Sequence, residues 1–152
     1  MLKVGDKAPN FKGLNQDEKE ISLGNYKGNK LVLYFYPKDD TPGCTKESCS
    51  LRDFDKELLA EGYKILGVSA DKPAKHRKFI DKFNLSFDLL ADTELETIKA
   101  YGCWGLKKFM GREYEGILRT TFLIDESGVI THIFDKVKTA THAEQILESI
   151  KK

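Results

Sequence analysis

The sequence predicts a three-layer α/β domain in which helices flank a central mixed β-sheet. Apolar runs typical of strands alternate with stretches of helical periodicity along the chain, which favours parallel strands joined by helical crossovers. Near the end, the apolar runs 121–125 and 129–134 flank the turn residues Glu126, Ser127 and Gly128, which predicts an antiparallel hairpin. The two connection types together require a mixed sheet.

The composition is that of one globular domain without a strongly charged partner. The 152 residues suffice for one hydrophobic core, and no composition break marks a second domain, so we expect a single domain over 1–152. Basic residues number 25 and acidic residues 24, and the signs are mixed, so neither nucleic acid nor a membrane is an expected partner. Asp6 and Pro9 come too early for the apolar core of a signal peptide, and three cysteines do not suggest a secreted disulfide framework. We therefore expect a cytoplasmic protein.

The first half of the chain is predicted to contain a hairpin, a buried strand and a helix. Residues 11–22 favour a small hairpin, and the apolar run LVLYFY, 31–36, favours a fully buried strand. A helix is predicted over 45–60, because its apolar residues recur at helical spacing: Leu51, Phe54 and Leu58. Gly62 is the expected stop.

The second half continues the alternation before the hairpin. YKILGVSA, 63–70, is a predicted strand, Pro73 opens a predicted helix, and FDLLAD, 87–92, is a shorter predicted strand. Thr141 and Glu144 have the spacing of a capping box, which predicts the start of a final helix.

A cysteine lies where the buried strand gives way to the first long helix. Thr41 suits the N-cap, Pro42 suits the first helical position, and Cys44 then occupies the third. Unpaired backbone N–H groups and the positive end of the helix dipole favour a thiolate there, and a thiolate is a nucleophile. The alternative is a small, buried, unreactive cysteine.

The residues around this thiol form a recognisable pattern. Pro37, Thr41 and Cys44 match the Pro-x-x-x-Thr-x-x-Cys signature of peroxiredoxins, and YPKDDTPGCTKESC, 36–49, resembles the bacterioferritin comigratory protein or Q-type subgroup. Similarity extends over GDKAPNF, LVLYFY, GVSAD and LRTTFLID, and so over most of the chain. The resemblance implies a thioredoxin-like fold and a thiol-dependent peroxidase. Such an enzyme reduces hydrogen peroxide and organic hydroperoxides and is recycled by thioredoxin or a similar dithiol donor.

The resemblance also implies roles for individual residues. Cys44 becomes the peroxidatic cysteine, and Cys49 becomes the resolving cysteine that condenses with the Cys44 sulfenic acid in an intramolecular disulfide. The hydroxyl of Thr41 would face the bound peroxide, although it also suits helix capping. Arg119, just before TTFLID, would stabilise the thiolate and the transition state. Pro37 would shield the thiolate from water, and it also simply ends the strand.

Helical geometry places a condition on the disulfide. Five residues of helix separate Cys49 from Cys44 by roughly 140° around the axis and about 7.5 Å along it. A disulfide needs Cα atoms within about 7 Å and converging Cβ directions, so the first turns of the helix must unwind. Cys49 is expected to project away from the apolar face of the helix.

The remaining chemistry-bearing residues have less specific interpretations. Cys103 is interpreted as a small buried hydrophobe, with a backup resolving thiol as the alternative. Glu47 either pairs with a nearby basic residue or is a solvated helix charge. The three histidines, His76, His132 and His142, show no metal-ligand spacing, and no metal or other cofactor is expected.

Two other function classes stay open on the residues alone. A protein thiol-disulfide oxidoreductase would be expected to carry Cys-x-x-Cys at this turn, and that spacing is absent from the sequence. A redox-sensing interaction module would use the same thiols without turnover. Because an intrachain resolving cysteine needs no second subunit, we expect a monomer.

Overall fold

The computed structural model describes residues 1–151. Across these residues the chain forms nine strands: β1 (Lys12–Leu14), β2 (Glu20–Ser22), β3 (Lys30–Phe35), β4 (Tyr63–Ser69), β5 (Asp88–Ala91), β6 (Trp104–Phe109), β7 (Arg112–Ile117), β8 (Thr120–Ile124) and β9 (Ile130–Phe134). The same residues form five α-helices: α1 (Pro42–Asp53), α2 (Asp55–Ala60), α3 (Pro73–Phe83), α4 (Glu96–Ala100) and α5 (His142–Ile150). Two short 3-10 turns cover Leu23–Tyr26 and Thr139–Thr141.

Seven of the strands form one mixed sheet in the order β2-β1-β5-β4-β3-β8-β9. Strands β3, β4 and β5 run parallel, whereas β8 is antiparallel to β3 and β9 is antiparallel to β8. The predicted mixed sheet, its terminal hairpin and the small hairpin β1–β2 are therefore confirmed. Strands β6 and β7 pair only with each other.

The interior strand β3 contributes side chains to the core on both faces of the sheet. Leu33 and Phe35 belong to the cluster on one side of the sheet, where α4 contributes Ile98. Tyr34, with its neighbours Val32 and Tyr36, belongs to the cluster on the other side, which contains residues of α1, α2, α3 and α5. Side chains alternate along a strand, so a strand buried on both faces is apolar throughout, as LVLYFY is. Together these contacts give the predicted three layers.

The sheet register determines where the site is assembled. Phe35 at the end of β3 pairs with Thr120 at the start of β8. The loop that follows β3 and the residue that precedes β8 therefore lie at the same end of the sheet, beside the start of α1.

The helix begins at Pro42, as Thr41 and Pro42 predict, but two other local predictions are wrong. The continuous helix predicted through residue 60 is interrupted at Phe54, whose non-helical ψ of 15° divides it into α1 and α2. The predicted capping box also does not form, because Thr141 makes no side-chain cap and belongs to a 3-10 turn. The amide oxygen of Gln145 instead accepts from the backbone N–H of Lys138 just before that turn.

The sequence interpretation missed the hairpin β6–β7 and the short helix α4. The hairpin turns through Met110 and Gly111, both in the left-handed region with φ values of 52° and 78°. Its side chains are mostly exposed on both faces, so the strands lack the alternation that marks a half-buried sheet. None of the helices within residues 1–151 combines the length and apolarity needed to cross a membrane.

Candidate active site

Cys44 lies in the first turn of α1 and is buried. Thr41 precedes the helix with extended backbone angles, φ −103° and ψ 155°, and Pro42 is the first helical residue. The backbone N–H of Thr45 donates to the carbonyl of Thr41, which closes the first turn. The amide groups before Thr45 have no carbonyl in the preceding turn to bind, so their positive ends favour an anion near the Cys44 sulfur.

Arg119 is the nearest fixed cation to this sulfur. Its Nη2 lies 3.4 Å from Cys44 Sγ, and its Nη1 donates to Glu47 Oε1 at 2.6 Å. The two contacts hold the guanidinium between a thiol and a carboxylate, three residues apart on α1. Residues that lie 75 positions apart in the sequence thus meet at one site.

Glu47 is fully buried, so the solvated alternative for this residue is wrong. Burial raises the pKa of Glu47 to about 7, although the charge of Arg119 and its hydrogen bond oppose that rise. Among the described residues, Oε2 of Glu47 is the buried side-chain polar atom without a hydrogen-bond partner. Half of this carboxyl group is therefore paired and half is not, which makes its protonation sensitive to pH near neutrality.

His142 faces the unpaired oxygen of Glu47. Its Nε2 lies 3.7 Å from Glu47 Oε2 and 2.8 Å from Thr121 Oγ1. The Nδ1–H donates to Gln145 Oε1, so Nε2 is the acceptor of the Thr121 hydroxyl. Burial lowers the pKa of His142 to about 4, so the ring is neutral at neutral pH. This contact leaves no signal in the sequence, because neither residue lies in a recognisable motif with the other.

We expect the free energy of unfolding of Glu47→Gln, measured relative to wild type, to be higher at pH 8 than at pH 5. The pKa of Glu47 is about 7 when folded and has an ordinary value of 4.5, so the folded state holds this proton more tightly. Its contribution to stability is therefore present at low pH and is lost as pH rises from about 4.5 to about 7. The difference between these two pKa values corresponds to ~3 kcal/mol of unfolding free energy, and urea unfolding at both pH values would measure it.

His142→Gln provides a control of opposite sign. Because burial depresses the pKa of His142 from 6.5 to about 4, wild-type stability from this residue is lost as pH falls through that interval. The stability of His142→Gln relative to wild type should therefore increase as pH falls, whereas that of Glu47→Gln should increase as pH rises. A pH-independent difference between Glu47→Gln and wild type would contradict the titration assigned to Glu47.

Thr41 and Pro37 lie in the loop before α1. Thr41 occupies the N-cap position, but its hydroxyl makes no capping bond and donates instead to the carbonyl of Lys38 at 2.8 Å. The N-cap position predicted for Thr41 is therefore confirmed, whereas the capping bond that its hydroxyl also suited does not form, and the hydroxyl fixes the loop instead. Pro37 is partly buried two residues after the end of β3, where the chain bends.

The two other cysteines have different surroundings. Cys49 is partly exposed on the same intact helix as Cys44, and both are free thiols. Burial raises the pKa of Cys49, although the charge of Arg52 opposes this rise. Cys103 is 1% exposed, its Sγ lies 3.6 Å from the carbonyl oxygen of Tyr101, and burial raises its pKa to about 12. This environment favours the interpretation of Cys103 as a packing residue.

Lys107, on the unpredicted hairpin, is a further cation near the site. Its Nζ donates to the carbonyl of Ile117 at 2.9 Å. Burial lowers the pKa of Lys107, and the charge of Arg119 lowers it further while Cys44 opposes this. The hairpin therefore brings a second basic group to the electrostatic environment of Cys44.

Comparison with known proteins identifies the family. Residues 4–133 match the model of the AhpC/TSA family. The chain is 45% identical over 150 residues to peroxiredoxin Bcp of Escherichia coli K12, covering 99% of this chain and 96% of that protein. It is 43% identical over 150 residues to peroxiredoxin Bcp of Bacillus subtilis 168, with the same coverage of 99% and 96%.

Solved structures give the same result. A Xylella fastidiosa PrxQ, in a mutant form with one cysteine replaced by serine, superposes with a TM-score of 0.92 at 30% identity, covering 99% of this chain and 96% of that one. A bacterioferritin comigratory protein of Xanthomonas campestris, studied for alkyl peroxide reduction, superposes with a TM-score of 0.86 at 34% identity, covering 93% and 90%. The expected thioredoxin-like fold is therefore confirmed. The chain belongs to the AhpC/TSA family and, within it, to the Bcp or Q-type peroxiredoxins, which are thiol-dependent peroxidases.

Proposed function

We propose that Cys44 is the peroxidatic cysteine of a peroxidase that acts on hydrogen peroxide and organic hydroperoxides. The observation that carries the proposal is the 3.4 Å contact of Arg119 Nη2 with a buried Sγ in the first turn of α1. The Cys44 thiolate attacks the terminal, protonated oxygen of the hydroperoxide and the O–O bond breaks. The hydroxyl stays on sulfur as a sulfenic acid, and the departing oxygen takes a proton from solvent to leave as water or an alcohol.

Arg119 and Thr41 are proposed to serve this step in different ways. Arg119 carries a permanent charge beside the sulfur, so it stabilises both the thiolate and the negative charge that grows on the departing oxygen. Thr41 is proposed to turn its hydroxyl from the Lys38 carbonyl to the peroxide when substrate binds. Pro37 offers no backbone N–H and supports the loop that encloses the thiolate.

Cys49 is proposed to resolve the sulfenic acid. Its thiol attacks the Cys44 sulfur, a disulfide forms and water leaves. A dithiol donor such as thioredoxin then reduces the disulfide and restores both thiols. The reaction is complete within one chain, which supports a monomer, and its need for a reducing dithiol supports a cytoplasmic location.

A coupled assay tests this function. Purified protein is mixed with thioredoxin, thioredoxin reductase, NADPH and either hydrogen peroxide or an organic hydroperoxide, and NADPH loss is followed. We expect sustained turnover over many equivalents of peroxide. A redox-sensing module would instead consume about one equivalent and stop, which would overturn the proposed function.

Arg119→Ala is expected to slow Cys44 oxidation by about 10²-fold or more, because the sulfur and the departing oxygen both lose their fixed cation. The thiolate fraction of Cys44 at neutral pH should fall as well. Stopped-flow measurement of sulfenic acid formation and the ultraviolet absorbance of the thiolate would measure the two effects.

Arg112→Ala is the matched control, since Arg112 is an exposed arginine seven positions earlier on β7. It should leave both readouts at wild-type levels. Wild-type behaviour of Arg119→Ala in both measurements would remove Arg119 from the reaction.

A further inference from the structure

The loop between β3 and α1 is anchored by a buried aspartate that the peroxidase mechanism does not use. Asp39 is 2% exposed and its side chain contacts two other elements. The hydroxyl of Tyr36, directly after β3, donates to Oδ1 at 2.5 Å, and Nδ1 of His76 on α3 lies 2.6 Å from Oδ2. The backbone N–H of Asp39 donates to Asp71 Oδ2 at 2.8 Å.

The hydrogen bonds of His76 fix where its protons lie. The ring is fully buried, and its Nε2 lies 3.0 Å from the backbone carbonyl oxygen of Leu90, which can only accept. Nε2 therefore carries a hydrogen. Nδ1 faces Asp39 Oδ2, and a single hydrogen between these two atoms satisfies both of them. The imidazole ring is therefore held at both of its nitrogens, which fixes its orientation inside the protein.

Tyr36 is held as a donor in this group. Burial raises the pKa of Tyr36 well above its usual value, and the neighbouring charge of Asp39 raises it further. The phenol therefore keeps its proton and shares it with the carboxylate in a hydrogen bond.

His76, Asp39 and Asp71 also bring potential metal-ligand atoms within 4.8 Å of one another. Each of these atoms already has a hydrogen-bond partner, so the group is explained by hydrogen bonding alone.

The chain needs an anchor here because the next residue has an unfavourable conformation. Asp40 has a φ of 58°, in the left-handed region that costs a non-glycine residue free energy. Thr41 and Pro42, which start α1, follow immediately. A loop that relaxed at Asp40 would move the first turn of α1 and change the distance between Cys44 and Arg119.

We propose that Asp39 and His76 are positioning residues, which hold the loop before α1 and so keep Cys44 against Arg119. The inference rests on the proposed function, because it concerns the rate at which Cys44 reacts. If α1 unwinds on oxidation as expected, the chain is held at Asp39 and the helix opens after this residue.

The test compares Asp39→Asn with Asp39→Ala in the whole protein. In Asp39→Asn, the amide NH₂ donates to Nδ1 of His76 and the amide oxygen accepts from Tyr36, so both hydrogen bonds of the anchor persist. In Asp39→Ala the anchor is lost. We expect Cys44 oxidation by one equivalent of hydrogen peroxide to stay within about threefold of wild type in the first variant and to slow about tenfold or more in the second.

Two spectroscopic readouts separate positioning from general stability. Imidazole ¹⁵N signals of His76 should show a hydrogen-bonded Nδ1 in wild type and in Asp39→Asn, and an Nδ1 without that hydrogen bond in Asp39→Ala. Amide exchange over residues 36–43 of the reduced protein should accelerate in Asp39→Ala and not in Asp39→Asn. Asp92→Ala is the matched control: it removes another buried aspartate, whose Oδ2 accepts from Ile98 N–H, and should leave Cys44 oxidation unchanged.

The outcomes distinguish this inference from the proposed function. Failure of wild-type Cys44 to react with peroxide would overturn the proposed function. A reactive wild type together with an equally reactive Asp39→Ala, or with an Asp39→Asn as slow as Asp39→Ala, would overturn the positioning role alone. If Asp39→Ala does not fold, Tyr36→Phe decides, because it removes one donor to Asp39; amide exchange over residues 36–43 should accelerate, and exchange at the wild-type rate rejects the anchor.

Discussion

We expect Cys44→Ser to abolish thioredoxin-dependent peroxide reduction and to leave the fold intact. A serine hydroxyl is not ionised near neutral pH and is a far weaker nucleophile than a thiolate, so the surrounding donors have no anion to stabilise. Cys44 is 1% exposed, so its packing matters, but serine is almost the same size and should change that packing little. NADPH consumption should fall to the rate without enzyme, while circular dichroism and the urea midpoint stay near wild type.

Cys103→Ala is the control for this variant. Cys103 is as buried as Cys44, but it has no contact with Arg119 within the described structure, and its pKa is raised to about 12. Turnover should remain close to wild type after this substitution. Substantial thiol-dependent turnover in Cys44→Ser would reject Cys44 as the nucleophile, and a large loss in well-folded Cys103→Ala would assign a redox role to Cys103.

Oxidation by one equivalent of peroxide is expected to link Cys44 to Cys49 and to unwind the first turns of α1. Both cysteines lie on one continuous helix in the reduced protein, where five residues place their side chains too far apart for a sulfur–sulfur bond. Opening is favoured at this end, because Gly43 is a poor helix former and the first turn has few backbone hydrogen bonds to lose. Leu51 and Leu58 are fully buried, so the later turns and α2 stay docked.

Peptide mapping and amide exchange measure this transition. The mapped disulfide should join Cys44 to Cys49, and exchange over residues 43–50 should accelerate on oxidation while exchange over 54–58 does not. In Cys49→Ser, the Cys44 sulfenic acid should persist and pass to the sulfinic acid at higher peroxide concentrations. A disulfide to Cys103, a link between two chains, or unchanged exchange over 43–50 would each contradict the mechanism.

The parts of the fold that could be predicted are those whose signal is local. LVLYFY predicted β3 because a strand buried on both faces needs apolar side chains at every position. The division between α1 and α2 could not be predicted, because Leu51 and Leu58 keep helical spacing across the break at Phe54. The hairpin β6–β7 was missed because a mostly exposed ribbon has no core face to set its pattern.

The residues of the site also differ in whether a local sequence signal could predict them. Cys44 follows from a short motif and from the start of a helix, whereas the pairing of Glu47 with Arg119 depends on a strand that returns 72 residues later. The Asp39–His76 contact likewise joins residues 37 positions apart, and neither has a distinctive neighbour in the sequence. Spacing rules describe residues on one element, and they carry no information about which elements the fold brings together.

The antiparallel pairing of β3 with β8 also determines when Cys44 becomes reactive during synthesis. Arg119 follows Cys44 by 75 residues, so a ribosome adding about 5–20 residues per second takes about 4–15 s to supply the cation after the thiol. Even then, Arg119 reaches the sulfur only after Phe35 has paired with Thr120, the kind of distant contact that forms late in folding. A nascent chain therefore carries Cys44 without its guanidinium, and under the proposed role of Arg119 the thiol gains full reactivity towards peroxide only once β8 has paired with β3.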